Sequence, residues 1–200
     1  MSSDSAKKNR ARLNGRDLIN VGIYSAIYFL IVMVIAMLGF IPIMMPLLCV
    51  IAPIVGGIPF MLFLTKVKKF GMILIMSIIM GVAMALTGMG LYALPVAMLS
   101  GLIAELVWRR AKYRMASGAI LAYGFFSIWM WGNFLPLFLD PSGYFSTRSE
   151  FGVDYEAALT ALLPLWMCPV LLAACFVCGI LGAFLGRALL KKHFEKAGIV

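Results

Sequence analysis

The sequence predicts an all-α integral membrane protein with six transmembrane helices and with both termini in the cytoplasm. Of the 200 residues, 64% are apolar and only 12% are charged, whereas a soluble domain is about half apolar and about a quarter charged. Apolar runs long enough to cross a bilayer recur along the chain, and clusters of basic residues separate them. We therefore predict one membrane domain over residues 1–200, without room for a separate catalytic domain.

Six apolar segments are long enough to cross roughly 30 Å of hydrocarbon, which takes about 20 helical residues. The last of them exceeds one crossing. We expect it to begin at the outer surface, to be kinked at Pro164 and Pro169, and to continue into the cytoplasm as an amphipathic extension. The predicted spans are 18–38, 47–65, 70–87, 91–108, 117–139 and 157–190.

The placement of lysine and arginine fixes the predicted orientation. Basic clusters lie at 7–16, 66–69, 109–114 and 187–196, and of 17 basic residues only Arg148 falls in a segment that six spans place outside. Cytoplasmic loops carry the excess of Lys and Arg. The segment 1–17 and the tail 187–200 are therefore predicted to be cytoplasmic, since five or seven spans would put a cluster on the wrong side. The net charge of +9 then reflects topology, because its charges belong to separate loops.

Chemical motifs are mostly absent from the chain. It has no P-loop, no H-E-x-x-H and no G-x-S-x-G, and its only histidine is His193. Cys175 and Cys178 have a metal-like spacing, but no second cysteine pair and no nearby histidine accompany them. We therefore expect no enzymatic activity, no cofactor and no metal site. The first apolar run is too long for a signal peptide and should remain as the first helix.

Glu105 is the one acidic residue well inside an apolar span. One interpretation is a pair with Arg109, one turn further along the helix, close to the cytoplasmic surface. The other is a narrow face of small residues, Ala93, Ala97 and Gly101, that carries Glu105 into a close helix contact.

Rows of small residues at four-residue spacing also occur in other spans, where they favour close helix packing. We expect most of these rows to lie inside the bundle and one, Gly22 and Ala26 on the first helix, to be external. The other rows are Ser77, Gly81 and Ala85 in the third span, and Ala174, Cys178, Gly182 and Gly186 in the sixth.

The segment 39–46 contains two prolines before the second span, which predicts an apolar outer loop or a re-entrant turn. It is either an ordinary connector or a hydrophobic lid. As a lid, its residues would be Phe40, Pro42, Met44, Met45 and Pro46.

Aromatic and polar residues gather around the outer end of the fifth span and the loop 141–156. They form either an aromatic belt at the membrane interface or a ligand pocket open to the outside. Asn133 is the most informative of them, because a buried amide costs free energy unless it is partnered. The candidate substrate-binding residues are Tyr92, Trp129, Asn133, Asp140, Tyr144 and Trp166.

The segments L-N-G-R-D-L-I-N-V-G-I-Y-S-A-I-Y at 13–28 and K-K-H-F-E-K-A-G-I-V at 191–200 resemble the two ends of the Trep_Strep family of bacterial membrane proteins. That family is similar to the substrate-binding S components of energy-coupling factor (ECF) transporters. The resemblance implies a multi-pass protein of the bacterial cell membrane, with partners that supply energy: a transmembrane coupling protein and two ATPase subunits. It also implies that the first external loop acts as a lid and that Gly22 and Ala26 face the coupling protein.

These expectations together predict the S component of an ECF-type importer, which captures a scarce micronutrient outside the cell. The aromatic and methionine-rich surroundings favour a flat or amphipathic molecule, such as a vitamin, a nucleobase-like compound or a porphyrin. Two alternatives remain open. The chain could be a small autonomous secondary transporter, for which Glu105 is the one coupling group, or a structural or regulatory membrane protein without a ligand.

Overall fold

The computed structural model describes residues 13–88 and 91–194, and every regular element in that part of the chain is helical. The all-α prediction is confirmed for these residues. Short 3₁₀ turns at Met37–Phe40, Ile128–Asn133 and Ser149–Phe151 join some of the helices, and a π turn follows the last one. The helices are α1 Gly15–Ala36, α2 Met44–Lys66, α3 Met72–Leu86, α4 Ala93–Arg110, α5 Ala116–Ser127, α6 Leu135–Leu139, α7 Pro141–Ser146, α8 Gly152–Leu162 and α9 Met167–Leu189.

Parts of the predicted basic segments lie outside the described residues. These are Lys7, Lys8, Arg10 and Arg12 of the segment 1–17, and 195–200 of the C-terminal tail, which include Lys196.

Among the described residues, three stretches of helix are long and apolar enough to cross a membrane: Gly15–Phe40, Met44–Lys66 and Met167–Lys192. The helix α3 is also apolar but shorter, at 15 residues. The first four predicted spans agree with α1 to α4 to within about one helical turn at each end, because their boundaries follow the ends of apolar runs.

The fifth and sixth predicted spans are each divided in the structure. The predicted helix 117–139 ends as an α-helix at Ser127, continues as the 3₁₀ turn Ile128–Asn133, and restarts as α6 with Pro136 in its first turn. The predicted helix 157–190 is broken between α8 and α9 at Leu163 and Pro164. A proline restricts the residue before it, and Leu163 has an extended φ of −118°. Pro169 lies in the first turn of α9, where backbone amides have no carbonyl partner within the helix. The missing N–H of proline therefore breaks no helical hydrogen bond and does not kink α9.

One end of the bundle, which we call the basic end, holds the amino terminus of α1 and the loop between α2 and α3. Asn14 and Asp17 form a reciprocal capping box, in which each side chain accepts a hydrogen bond from the other residue's backbone amide. The Asp17 carboxylate also forms a salt bridge with Lys69, whose Nζ atom lies 2.7 Å from Oδ2. The start of α1 is thereby tied to the loop that follows α2.

The helices α2 and α9 cross where glycine allows their backbones to touch. A Cβ atom built on Gly182 would come within 2.3 Å of the Pro53 carbonyl oxygen, and one on Gly57 within 2.1 Å of the Gly182 carbonyl oxygen. Gly186 meets the Gly57 carbonyl oxygen in the same way. The predicted small-residue row of the last span therefore lies inside the bundle, against the irregular helix that contains Pro53 and Pro59.

The helices α3 and α4 pack through a second small-residue contact. A Cβ on Gly101 would lie 2.0 Å from Ser77 Oγ, and one on Gly81 would lie 2.9 Å from the Leu94 Cα. By contrast, Gly22 and Ala26 are exposed on α1, and a Cβ on Gly22 would meet no atom within 4 Å. The contacts thus separate internal rows from the external one, as predicted.

Candidate functional site

A cavity of about 250 Å³ opens at the end of the bundle opposite the basic end; we call this the cavity end. It lies between the last turns of α1, the first turns of α2, the end of α3 and the 3₁₀ turn that follows α5. Its lining comprises Val32, Met33, Ile35, Ala36, Met37, Gly39, Phe40, Met45, Leu48, Ala52, Met84, Thr87, Met130, Asn133, Phe134, Tyr144 and Phe151.

None of the described residues that line this cavity carries a charge. Five of them are methionines, whose flexible thioether side chains adapt to the shape of a bound molecule and make favourable contacts with aromatic rings. The cavity is therefore suited to an apolar or aromatic body and not to a bare ion.

Asn133 brings a polar group into this apolar lining. Its Nδ2 atom donates to the carbonyl oxygens of Met130 at 3.1 Å and Trp129 at 3.4 Å, and the side chain is 8% exposed. Those carbonyl groups fix the orientation of the amide, because only the NH₂ group can donate to them. Oδ1 is left buried without a hydrogen-bond partner among the described residues.

Tyr144 supplies a second polar atom. Its phenol oxygen is buried and has no partner in the described part of the chain, although its ring is held in place. The Arg148 guanidinium lies 3.9 Å from the centre of that ring, and Arg148 Nη1 donates to the Tyr144 carbonyl oxygen at 2.8 Å. Burial raises the pKa of the Tyr144 phenol. The group is thus a neutral hydroxyl near physiological pH, able to donate or to accept one hydrogen bond.

Three aromatic residues close one side of the cavity. Tyr155 donates a hydrogen bond to the Gly39 carbonyl oxygen, and its ring stacks on Phe151 with centres 4.4 Å apart. Phe151 in turn lies 5.9 Å from Phe40. The segment around α8 therefore lies across the 3₁₀ turn Met37–Phe40, and we call these contacts the aromatic closure.

A second, more polar cleft of about 490 Å³ adjoins the first cavity. Thr87 and Tyr144 line both spaces, so the two are contiguous. The cleft also holds the exposed Asp140 and Glu150, while Arg148 is 8% exposed and donates through Nη2 to the Gly88 carbonyl oxygen.

The structure divides the six predicted binding residues into three groups. Asn133 and Tyr144 line the apolar cavity, and Tyr92 and Asp140 line the adjoining cleft together with Tyr144. The other two are placed elsewhere: Trp129 is fully buried behind the cavity, where its Nε1 lies 3.4 Å from Tyr28 Oη, and Trp166 is 65% exposed on the surface.

The predicted lid segment is shorter than expected. The residues at 44–46 belong to the first turn of α2, where Pro46 is tolerated because early helical amides have no carbonyl partner. Phe40 and Met45 line the cavity, whereas Pro42, Met44 and Pro46 lie outside its lining.

Several lining residues were not predicted from the sequence. Phe151 belongs to the loop 141–156, which the sequence indicates only as a whole, and the last turns of α1 are predicted only as the end of the first span. The buried row Val21, Ser25, Tyr28 and Val32 recurs at helical spacing, so periodicity identifies the inner face of α1. That spacing does not reveal that the face ends at a cavity.

Glu105 is fully buried and belongs to the basic end. Its Oε2 atom accepts hydrogen bonds from the backbone amides of Ile73 and Leu74 at the start of α3. Of the two interpretations of Glu105, the close helix contact fits the structure, because the side chain lies where α4 packs against the start of α3. Arg109 instead lies over the ring of Phe70, 5.3 Å from its centre.

A comparison with protein families matches residues 15–196 to the family described as hypothetical bacterial integral membrane protein (Trep_Strep). The chain belongs to the Trep_Strep family. No curated protein and no solved structure matches it.

Membership confirms the resemblance found at the two ends of the sequence and places this Trep_Strep protein in a bacterial membrane. The apolar helices of the structure agree with that location.

Proposed function

We propose that this Trep_Strep protein is the substrate-binding S component of an ECF-type importer. It captures a vitamin-like or other small aromatic molecule on the outer side and delivers it inward when it is coupled to a transmembrane protein and two ATPase subunits. The observation that carries this proposal is the uncharged cavity together with two residues of its lining, Asn133 and Tyr144, whose buried Oδ1 and Oη atoms have no partner among the described residues. A buried polar atom without a partner is rare unless a ligand or water completes it.

The orientation that we propose has six crossings: α1, α2, α3, α4, α5 with its 3₁₀ extension, and α9. Lys66, Arg110 and Arg187 lie in the last turns of helices that end at the basic end, and Lys69 lies in the loop that follows α2. The positive-inside rule puts this end in the cytoplasm. The cavity then faces the outside, where a substrate receptor needs it.

The surface that we propose for the coupling protein is the exposed face of α1. Gly22 and Ala26 lie on it, and the apolar neighbours Ile19 and Ile23 are more than half exposed, at 61% and 52%. Small residues allow another helix to approach the backbone closely, which is the main source of helix association in lipid. The sequence has no P-loop, so in this proposal the ATPase subunits supply the energy for import.

The proposal is tested by purification of the tagged full-length protein from its native membrane in mild detergent. We expect two ATPase subunits and one further membrane protein to co-purify, and native mass spectrometry to detect a bound small molecule. A protein that purifies without ATPase subunits and that still drives uptake in proteoliposomes would show a secondary transporter. A protein with neither partners nor ligand would show a structural or regulatory role.

A further inference from the structure

We propose that the cavity binds an uncharged ligand of one or two rings that presents an N–H or O–H donor to Asn133 Oδ1 and a hydrogen-bond acceptor to Tyr144 Oη. A cyclic amide or a nucleobase-like heterocycle carries both groups on one edge. That this ligand is the transported substrate rests on the proposed function. That the cavity binds it rests on the cavity alone.

The charge of the ligand follows from the lining. Transfer of an ionised group into an apolar site costs several kcal/mol or more unless an opposite charge meets it. The described lining offers no such charge. The nearest charged groups lie in the adjoining cleft: Arg148, whose Nη1 and Nη2 atoms already bind carbonyl oxygens, and the carboxylates of Asp140 and Glu150. The part of the ligand inside the cavity is therefore neutral.

The donor on the ligand follows from the orientation of Asn133. A rotated amide would place Oδ1 against the carbonyl oxygens of Met130 and Trp129, which can only accept, so Oδ1 must be the free atom. Because Oδ1 is an acceptor, it selects a ligand that donates. An analogue without the donor leaves this buried oxygen unpaired, and a site of this kind discriminates strongly against such an analogue.

Tyr144 adds a group that can donate. The side chain is 3% exposed and its oxygen has no partner among the described residues, while Arg148 covers one face of the ring. The phenol hydrogen is therefore available to an acceptor such as a ring carbonyl oxygen.

The volume limits the size of the ligand. An apolar cavity of about 150 Å³ in another protein holds one benzene ring, and the cavity here is about 250 Å³. One ring or two fused rings fit this space, whereas a porphyrin would have to extend into the adjoining cleft. The five methionine side chains around it provide contacts for an aromatic ring.

The test uses the purified full-length protein in lipid nanodiscs and four bicyclic probes. The first, 2-quinolone, has an N–H donor beside a carbonyl acceptor. N-methyl-2-quinolone lacks the donor, naphthalene lacks both groups, and quinoline-2-carboxylate is charged. We expect calorimetry to show that 2-quinolone binds about tenfold more tightly than its N-methyl analogue, the size of effect that one buried hydrogen bond gives. We expect no binding of the carboxylate.

Two variants connect this preference to the named atoms. Asn133→Leu should abolish the difference between 2-quinolone and its N-methyl analogue. Tyr144→Phe keeps the ring beneath Arg148 and removes only the oxygen, so it should weaken both carbonyl probes equally, by about fivefold. Asp154→Asn, at an exposed position of α8 outside both linings, is the matched control and should change neither affinity. If Asn133→Leu does not fold, Tyr144→Phe still tests the site.

Three results would overturn the inference: equal binding of 2-quinolone and its N-methyl analogue, preference for the carboxylate, or no binding of any neutral probe at about 1 mM. Stoichiometric copper in the purified protein would overturn it as well, because thioether sulfurs are good ligands for Cu(I). If the probes bind as expected but no ATPase subunits co-purify, the proposed function fails and the ligand inference stands.

Discussion

The Glu105 carboxylate of α4 lies at the amino terminus of α3, where its Oε2 atom accepts a hydrogen bond of 2.8 Å from the Ile73 amide and one of 3.4 Å from the Leu74 amide. The first amides of a helix have no carbonyl partner within it, and the helix dipole favours a negative group there. No side chain of α3 itself caps this end, which begins at Gly71 in a left-handed conformation with φ of 101°. An acidic residue from a neighbouring helix supplies the cap.

The first prediction concerns this cap. Glu105→Ala leaves the buried amides of Ile73 and Leu74 without an acceptor and should lower the free energy of unfolding by about 1–3 kcal/mol. Glu105→Gln retains a carbonyl oxygen and should lose less. Thermal unfolding of the purified proteins measures both. We also expect Glu105→Gln to retain substrate uptake; its loss in a folded protein would instead identify Glu105 as the coupling group of a secondary transporter.

The second prediction concerns the crossing of α2 and α9. Gly182→Ala places a Cβ atom about 2.3 Å from the Pro53 carbonyl oxygen, so the two backbones must move apart. We expect a loss of about 1–3 kcal/mol in the free energy of unfolding. Gly22→Ala is the matched control, since its Cβ meets no atom within 4 Å. It should leave the melting temperature unchanged or raise it, because alanine favours helix more than glycine does. Equal changes of stability in Gly182→Ala and Gly22→Ala would contradict the close backbone contact at this crossing.

The third prediction concerns the exposed face of α1. Ala26→Leu adds bulk where the coupling protein is proposed to approach, so it should abolish co-purification of the ATPase subunits while probe binding is unchanged. Ala173→Leu makes the same change at an exposed position of α9 and should leave the complex intact. Loss of the complex in both variants, or in neither, would place the coupling surface elsewhere.

The sequence predicted the helical class and the first four helices well because long apolar runs in lipid must be helical to satisfy their backbone groups. Asn133 and Tyr144, two of the candidate binding residues, line the cavity. Asn133 was singled out because a buried amide is costly unless it is partnered, and the binding of a substrate by either residue stays a prediction. For the last span the sequence predicted a kink at Pro164, where the structure instead breaks the helix into α8 and α9. Side-chain periodicity does not specify which helix ends converge, so the sequence indicated the loop 141–156 as a whole and did not single out Phe151 within it.

The role assigned to Trp129 shows the same limit. A large aromatic residue near a predicted pocket suits either a ligand or the core. Here Tyr28 and Phe126 pack with centres 5.6 Å apart, and Trp129 completes this buried cluster from the side of Tyr28. Its contribution to the cavity is its carbonyl oxygen, which accepts from Asn133.

The fourth prediction concerns Arg148, a positioning residue that joins Gly88 and Tyr144. Its guanidinium donates to both carbonyl oxygens and covers the Tyr144 ring. Lysine has no planar fork of donors, so Arg148→Lys should lose part of this arrangement. We expect 2-quinolone to bind about three- to tenfold more weakly. The preference over N-methyl-2-quinolone should remain, because Asn133 is unchanged. Glu150→Gln, an exposed change in the same cleft, should have no effect on affinity.

The fifth prediction concerns the aromatic closure. Tyr155 donates to the Gly39 carbonyl oxygen, and burial raises the pKa of Tyr155 to about 12. Because the neutral phenol is favoured in the folded state, its contribution to stability is fully present below about pH 10 and is lost as the pH rises through about 12. Because Tyr155 stays neutral, its ionisation should not change the dissociation rate of bound 2-quinolone between about pH 6 and about pH 9.

Tyr155→Phe keeps the stacking on Phe151 and removes the hydrogen bond, so it should speed dissociation about two- to tenfold at every pH in that range. Stopped-flow measurement of probe release in nanodiscs gives this rate, and Tyr113→Phe, which follows α4 and lies outside both linings, is the control that should leave it unchanged. An unchanged rate in Tyr155→Phe would show that the ligand leaves by another route. Because α8 covers the 3₁₀ turn through this bond and the Phe151 stack, a faster rate would identify the movement of α8 away from Gly39 as the opening step.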